Sequence, residues 1–330
     1  MKAFEYAAPS TIEEAVKLLG TPGAAALSGG TDLISRMKDY VTSPERVVYL
    51  KDIKSLAGIS GDAKASGLTI GANTKLTDIV NSKEIREAYP ALWQATIEIG
   101  SPQIRNMATV GGNLLQRPRC WYFRAGHGLL ALKDGKSLVR AGDNRYHAIF
   151  LTEGDALFVT PSSVAVALSA LDAQATLNGP KGERTLKVEA LYQVPKGETD
   201  SELTIGPGEV LTKVTIPAAK GKSASYEARH KQAQDWPLVL ASVNLAMDGD
   251  NVSAAKIVVY GVAPIPWRSA AAEKAITGKR VSIETAGAAG EAATEGAAPL
   301  SMNAYKVPLT KTVVKRALLA AVGNRYWEEA

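Results

Sequence analysis

The chain has 330 residues, 46% of them hydrophobic and 22% charged, with a net charge of +5, which is the balance of a globular protein with room for two or three domains. One cysteine and three histidines exclude an internal disulfide and any multi-thiolate metal or iron–sulfur site built from this chain alone, and His127, His147 and His230 supply no metal-ligand pattern. Basic and acidic residues alternate along the whole length and no apolar run reaches signal-peptide or bilayer length, so nucleic acid and membrane insertion are set aside and the cytoplasm is the default compartment.

Ser10 and Glu13 stand at capping-box spacing and open a helix that ends near Gly20. Ala24–Leu27 reads as a strand, the Gly29-Gly30 turn follows, and Thr31 is placed to cap a helix through Ile34 and Met37. With a strand at Val47–Leu50 this makes a βαβ-like unit over residues 1–55. The pattern restarts at Leu68–Ile70, with helices over 76–81 and 90–99 before a second glycine pair, Gly111-Gly112. Strands are then expected at 156–159, 165–168, 173–177 and 210–216, broken by Asn178-Gly179-Pro180 and Gly206-Pro207-Gly208, so that 56–218 forms a second α+β unit. Pro217–Ser223 is small, polar and basic, as an exposed boundary would be. In the third unit, 224–330, strands at 239–247 and 254–262 meet at the turn Asp248–Asn251. Alanine-rich helices follow over 269–298 and 309–322, interrupted near Pro299 and Pro308.

The two glycine loops, Leu27-Ser28-Gly29-Gly30-Thr31-Asp32-Leu33 and Thr109-Val110-Gly111-Gly112-Asn113-Leu114, share a glycine pair, a small polar residue and an aliphatic. Two such pairs are no more than chance supplies at this glycine content. Their flanks, above all Gly100-Ser101-Pro102-Gln103-Ile104-Arg105-Asn106 running into the second loop, make them a candidate diphosphate cradle, in which glycines let successive backbone N–H groups converge on phosphate oxygens. No GxGxxG follows the first strand, and the Gly-Lys-Ser triplets at 135–137 and 221–223 lack the earlier glycine of a P-loop. Arg117-Pro118-Arg119-Cys120-Trp121-Tyr122-Phe123-Arg124 interleaves arginines with aromatics and reads as a docking surface or a loop folded on its own chain.

Taken with Gly208-Glu209-Val210-Leu211-Thr212 and Asn303-Ala304-Tyr305-Lys306-Val307-Pro308-Leu309, these motifs, in this order over the whole chain, resemble the FAD-binding medium subunit of molybdenum hydroxylases, the group of xanthine dehydrogenase, carbon monoxide dehydrogenase and aldehyde oxidoreductases. The resemblance implies an α+β fold: an FAD-binding domain of vanillyl-alcohol-oxidase (PCMH) type in two subdomains, then a smaller domain of three-stranded sheet and helices. It implies non-covalent FAD, with Ala26, Leu27, Ser28, Gly29, Gly30, Thr31, Asp32 and Leu33 on one side of the diphosphate. Thr109, Gly111, Gly112 and Asn113 would close the other side, both loops acting mainly through backbone N–H groups. Ser101 and Ile104 are counted with the same site, Ile99 and Leu211 fall at apolar positions against the cofactor, and Lys231 at a lysine near the isoalloxazine, a role open equally to Arg229.

Two departures stand out. Relatives carry an aspartate where this chain has Ser163, which removes a charge from the flavin's surroundings. A subgroup inserts a loop after the second glycine motif whose four cysteines hold a [4Fe–4S] cluster; here the frame survives over about 116–149 with Cys120 alone, which implies no such cluster in this chain. The implied function is electron transfer through FAD, in a heterotrimer with a large molybdopterin subunit oxidising an aldehyde or N-heterocycle and a small [2Fe–2S] subunit. No acid, base or nucleophile of this chain is then catalytic. A free-standing FAD-dependent reductase or oxidase of the same fold, and a cofactor-free scaffold subunit, are the alternatives. Export with a signal-bearing partner would place the chain in the periplasm.

Overall fold

The computed structural model describes residues 1–231 and 233–328. Among the described residues three main sheets succeed one another, with a two-stranded fourth in the insertion. The first is parallel, Arg46–Tyr49 lying between Glu5–Ala7 and Ala24–Leu27, with helices Ile12–Leu19 and Leu33–Lys38 as the crossovers that parallel strands require. The second is antiparallel, in the order Ile59–Asp62, Gly67–Gly71, Val210–Ile216, Gln174–Gly179, Gly182–Lys187. Its central strand is Val210–Ile216, bulged between Leu211 and Lys213. The third joins Lys222–Ala228, Val239–Asp248 and Asn251–Tyr260 antiparallel and adds the two-residue strand Trp267–Arg268, one more than the three expected. Helices Ala270–Ile276, Ile283–Ala292 and Lys306–Ala321 pack against this sheet around Val243, Ile257, Val313 and Leu318.

Several expectations change. Residues 165–168 are not a strand but lie in the helix Ser163–Ala170, buried at all eight positions. A helix enclosed on every side shows no periodicity, so its apolar run is indistinguishable from a core strand. Residues 156–159 have no regular secondary structure and belong to no sheet among the described residues; Ala156, Leu157 and Phe158 are buried all the same. The first helix is capped one residue late: the Thr11 hydroxyl accepts the Glu14 N–H at 3.2 Å while Ser10 N–H donates to the Glu14 carboxylate at 3.1 Å. Asp32, not Thr31, precedes Leu33–Lys38, and its side chain makes no cap bond. Pro308 does not interrupt the last helix; it sits in its first turn, where a missing N–H costs nothing. The segment 217–223 is largely exposed, as expected of a boundary, and is tied to its neighbours: Tyr89 donates to the Pro217 carbonyl at 2.8 Å, Ala219 N–H to Ala63 at 2.8 Å, and the next strand starts at Lys222.

The insertion is folded. It holds short helices Trp121–Arg124 and Leu138–Ala141 and a hairpin of Leu132–Lys133 with Lys136–Ser137. Phe123, Leu129 and Leu130 close on Phe158 beneath it. Its end is tied to the third unit: Asn303 donates to the carbonyls of His147 and Ala148 at 3.1 and 3.0 Å. The Lys306 ammonium, buried, donates to Tyr146, His147 and Gly261 at 2.8, 3.0 and 2.6 Å.

Candidate functional site

The first glycine loop leaves the end of a parallel strand and turns into a helix. Gly29 lies so close to the second loop's approach that a Cβ there would stand 2.2 Å from the Met107 carbonyl oxygen, and Gly30 turns at φ +74°. Ser28 joins three segments: its hydroxyl donates to Asn73 Oδ1 at 2.7 Å and lies 2.9 Å from Thr109 Oγ1. Asn73 donates in turn to the Leu50 carbonyl at 2.6 Å.

The two loops divide the work unequally. Among the described residues the N–H groups of Ser28, Gly29, Gly30, Thr31 and Asp32 donate to no protein acceptor. In the second loop Val110 N–H donates to Thr74, Gly111 to Ala72 and Asn113 to Thr109 at 2.7–2.9 Å, and Gly112 to the Thr109 hydroxyl at 3.2 Å. The expectation that both loops offer their amides is therefore corrected: the 72–74 segment crosses the second loop and accepts from Val110 and Gly111, and Thr109 accepts from Gly112 and Asn113. What that loop contributes is a wall, close-packed because a Cβ on Gly111 would meet Ala72 at 3.0–3.1 Å.

These elements line a groove in three connected parts. A cavity of about 140 Å³ is bounded by Ala26 to Leu33, Arg36, Leu50, Thr109, Gly111, Gly112 and Leu211. Through Thr31, Gly112 and Gln116 it continues into one of about 300 Å³ walled by Ile99, Ile104, Asn113, Ser163, Glu227, Trp236 and Tyr260. Through Arg119, Pro161, Trp236 and Tyr260 that cavity meets a third, of about 350 Å³, where Lys231 lies. Of the residues singled out from sequence for the cofactor, Ser101 and Arg229 border none of the three; the Ser101 hydroxyl caps the helix Pro102–Met107 by accepting Ile104 N–H at 3.3 Å. Arg229 pairs with Glu98 and Glu227. The Ser163 hydroxyl is taken by the Ala95 carbonyl at 3.1 Å, while Ser162 donates to Asn113 Oδ1 at 2.7 Å.

Sequence reasoning missed Asn73, Arg36, Gln116, Glu227, Trp236 and Tyr260. Only Asn73, in Gly71-Ala72-Asn73-Thr74 directly after a strand, carried a positional signal. Asp32 was placed in the loop but not in its role. Its carboxylate accepts from Arg36 Nε at 3.0 Å, from Arg124 at 2.7 Å and from the Arg117 N–H at 3.2 Å, with Arg119 at 3.4 Å. Burial alone would raise the Asp32 carboxyl, but the guanidiniums of Arg119, Arg36 and Arg124 hold it below the ordinary value. Arg117 also pairs with Glu202, 3% exposed.

Glu227 runs the other way. Burial pushes its carboxyl up to about 7 despite the attraction of Arg229, and Glu98 adds to the rise. Folded Glu227 keeps a proton that the unfolded chain releases between about 4.5 and 7, so stability falls as pH rises through that window, by at most about 3 kcal/mol. Glu227→Gln should flatten this part of the urea midpoint against pH; an unchanged slope would refute the assignment.

Cys120 Sγ lies 3.2 Å from His147 Nε2. Burial raises the thiol, and burial together with the Lys306 charge lowers the imidazole to about 4, so the pair is a neutral thiol–imidazole contact and not an activated nucleophile. Among the described residues no group of three or more His, Cys, Asp or Glu is placed to hold a metal ion. No helix among them is long and apolar enough to cross a membrane.

Residues 2–219 match the model of the FAD binding domain in molybdopterin dehydrogenase. The chain belongs to that family. Residues 224–321 match the CO dehydrogenase flavoprotein C-terminal domain, so both parts of the FAD-binding subunit are present in order. The chain is 31% identical to the aldehyde oxidoreductase FAD-binding subunit PaoB of Escherichia coli, over 97% of this chain and 99% of the relative. It is 30% identical to the carbon monoxide dehydrogenase medium chain of Hydrogenophaga pseudoflava, over 96% of each. Among solved structures, carbon monoxide dehydrogenase from Hydrogenophaga pseudoflava superposes with a TM-score of 0.75 at 28% identity, over 97% of this chain and 98% of the other. The oxidoreductase flavoprotein architecture is thus shared from end to end. The groove fits the group the family carries: a row of unpartnered amides beside Arg36 suits a diphosphate, and the cavity beyond it, walled by Ile99, Trp236 and Tyr260, suits a ring.

Proposed function

We propose that this chain is the electron-transferring flavin subunit of a heteromeric molybdenum hydroxylase that oxidises an aldehyde or an N-heterocycle, working with a large molybdopterin subunit and a small [2Fe–2S] subunit. The observation that carries it is the row of unpartnered N–H groups from Ser28 to Asp32 at one end of the groove. A scaffold that had lost its cofactor would have no cause to keep five loop donors without acceptors, which weighs against that alternative. Bound FAD supplies two-electron redox chemistry, accepting electrons from a cluster and passing them to an external acceptor.

The chain's part is binding and orientation. Backbone N–H groups of Ser28 to Asp32 hold the diphosphate, with Arg36 supplying positive charge alongside. Leu27, Leu50 and Leu211 bound the adenosine end, and Ile99, Asn113, Trp236 and Tyr260 the isoalloxazine end. Glu227, whose carboxyl burial raises to about 7, places an O–H in the ring's cavity below that pH and a carboxylate above it. Lys231 stands in the third cavity, from which it favours negative charge at the ring's far edge. The three units 1–55, 56–218 and 224–330 then meet around one cofactor, and Cys120, engaged with His147, serves no [4Fe–4S] cluster.

Co-purification with mass identification of partners, read beside the visible spectrum, tests the reading: flavin bands and two co-purifying subunits are expected, with no iron in the isolated chain. About four iron per chain would overturn the cluster-free assignment, and oxidation of small organic substrates by the isolated chain would favour the free-standing enzyme. A colourless, folded chain that added FAD does not convert would overturn the flavoprotein reading.

A further inference from the structure

We propose that the exposed helix Pro102–Met107 and the lysines beside it, Lys51 and Lys75, form a docking face for the acidic surface of a partner subunit, one that sets carboxylates around an apolar centre. The inference rests on the heteromeric reading above and names the face of this chain on which one of its subunits sits.

The helix is the first argument. Ser101 caps it and Pro102 opens it, yet none of its six residues is buried. Ile104 and Met107, three positions apart and so on one side of the helix, are 43% and 52% exposed. Single apolar residues scattered over a surface need no explanation. A short helix that buries nothing is different, because helices in proteins draw most of their stability from packing a face, and here that face has no cover within the chain.

Charge is the second. Lys51 Nζ donates to the Met107 carbonyl at 3.4 Å, and Lys75 is held against the same segment by main-chain pairing with Thr109. Burial and the nearby Lys75 ammonium hold Lys51 below its ordinary value. Of the neighbouring acids, Asp78 accepts the Lys75 N–H at 3.2 Å and Asp52 stands beside Tyr49; the helix itself has none, and its Arg105 donates to the Ile99 carbonyl at 2.9 Å. Like charges brought together repel, and carboxylates on a partner would relieve that repulsion and steer its approach.

The pattern also selects the occupant. A second copy of this chain would set the same cations against one another across a two-fold axis. A polyanion would use the lysines alone, whereas an apolar centre with a charged rim, methionine included, is the anatomy of a protein interface.

The test uses the co-expressed complex, captured through a tag on this chain at low salt and then run by gel filtration at rising sodium chloride. One subunit is expected to leave as salt rises. Lys75→Glu and Met107→Glu should each lower the retention of that subunit at low salt by about tenfold or more, with the circular dichroism of the isolated chain unchanged; either variant carries the test if the other disturbs its loop. Lys181→Glu, in the turn between strands Gln174–Gly179 and Gly182–Lys187, should retain the subunit as the parent does. Full retention in both variants, equal loss in Lys181→Glu, or retention that salt does not affect would overturn the docking face and leave the heteromeric reading standing. Self-association of the isolated chain that the same variants abolish would assign the face to a second copy and overturn it as a subunit site. A parent chain that brings down no subunit would overturn the heteromeric reading itself, and this face with it.

Discussion

Gly29→Ala is expected to give a chain that purifies colourless and keeps less than about a tenth of its flavin after FAD is added back and the sample is dialysed. The cause is steric and lies outside the cofactor. A Cβ on Gly29 would sit 2.2 Å from the Met107 carbonyl oxygen and 2.9 Å from the Ala108 Cα, and neither is a flexible side-chain end. The loop must therefore move off the 107–109 segment, which opens the Ser28 contacts to Asn73 and Thr109 and misaligns the donors that precede the helix. Overpacking of this kind costs about 1–3 kcal/mol of stability, and a row of amides displaced by roughly an ångström no longer converges on its anion. Gly287→Ala is the control, since a Cβ there meets nothing within 4 Å and the residue lies in the helix Ile283–Ala292 away from the groove. Flavin per chain and thermal midpoint measure both; a Gly29→Ala protein with a full complement of flavin would show that the contact between the loops does not shape the site.

That contact marks the limit of what the residues told by themselves. Gly29 and Gly111 were legible through their flanking sequence and the order of motifs, not as glycine pairs, which chance alone supplies at this content, and the apolar runs of the long strands and last helices declared themselves. Whether the Gly111 amide is free depends on a segment that crosses it, Ala72 to Thr74, and no local pattern announces a crossing. Arg36 and Glu227 were invisible for a related reason: a polar residue in a short helix or strand is ordinarily solvated, and becomes informative only when the tertiary fold buries it. Residues 165–168 failed because complete enclosure erases periodicity. The lone Cys120 was readable as a departure from a family pattern. What holds the insertion together in place of four thiolates was not, since its anchor lies about ninety positions earlier in the sequence.

That anchor is Asp32, and Asp32→Asn is expected to be the most destabilising single substitution in the cofactor domain. The carboxylate is 12% exposed and pairs with Arg36, Arg119 and Arg124, themselves 14%, 30% and 16% exposed. Asparagine keeps the size and one acceptor oxygen but removes the charge, and its NH₂ then faces guanidinium donors. Three partly buried cations lose their counter-charge and repel one another, a loss of about 3–5 kcal/mol for a fully buried cluster and nearer the lower figure at this exposure. Since the arginines overcome burial and hold the folded carboxyl below 3.8, Asp32 contributes stability above its ordinary value, lost as pH falls through the folded pKa. The difference in urea midpoint between the two proteins should therefore be widest near neutrality and shrink in acid. Loss of the Asp32 contacts frees Arg119 and Arg124, which tether the insertion to the glycine loop, so the variant should be cleaved by trypsin within 117–140 while the parent resists. Equal midpoints at neutral pH together with equal resistance to cleavage would mean that the insertion is held by Asn303, Lys306 and the Phe123 cluster alone, and that the arginines around Asp32 do no more than shape the wall of the cradle.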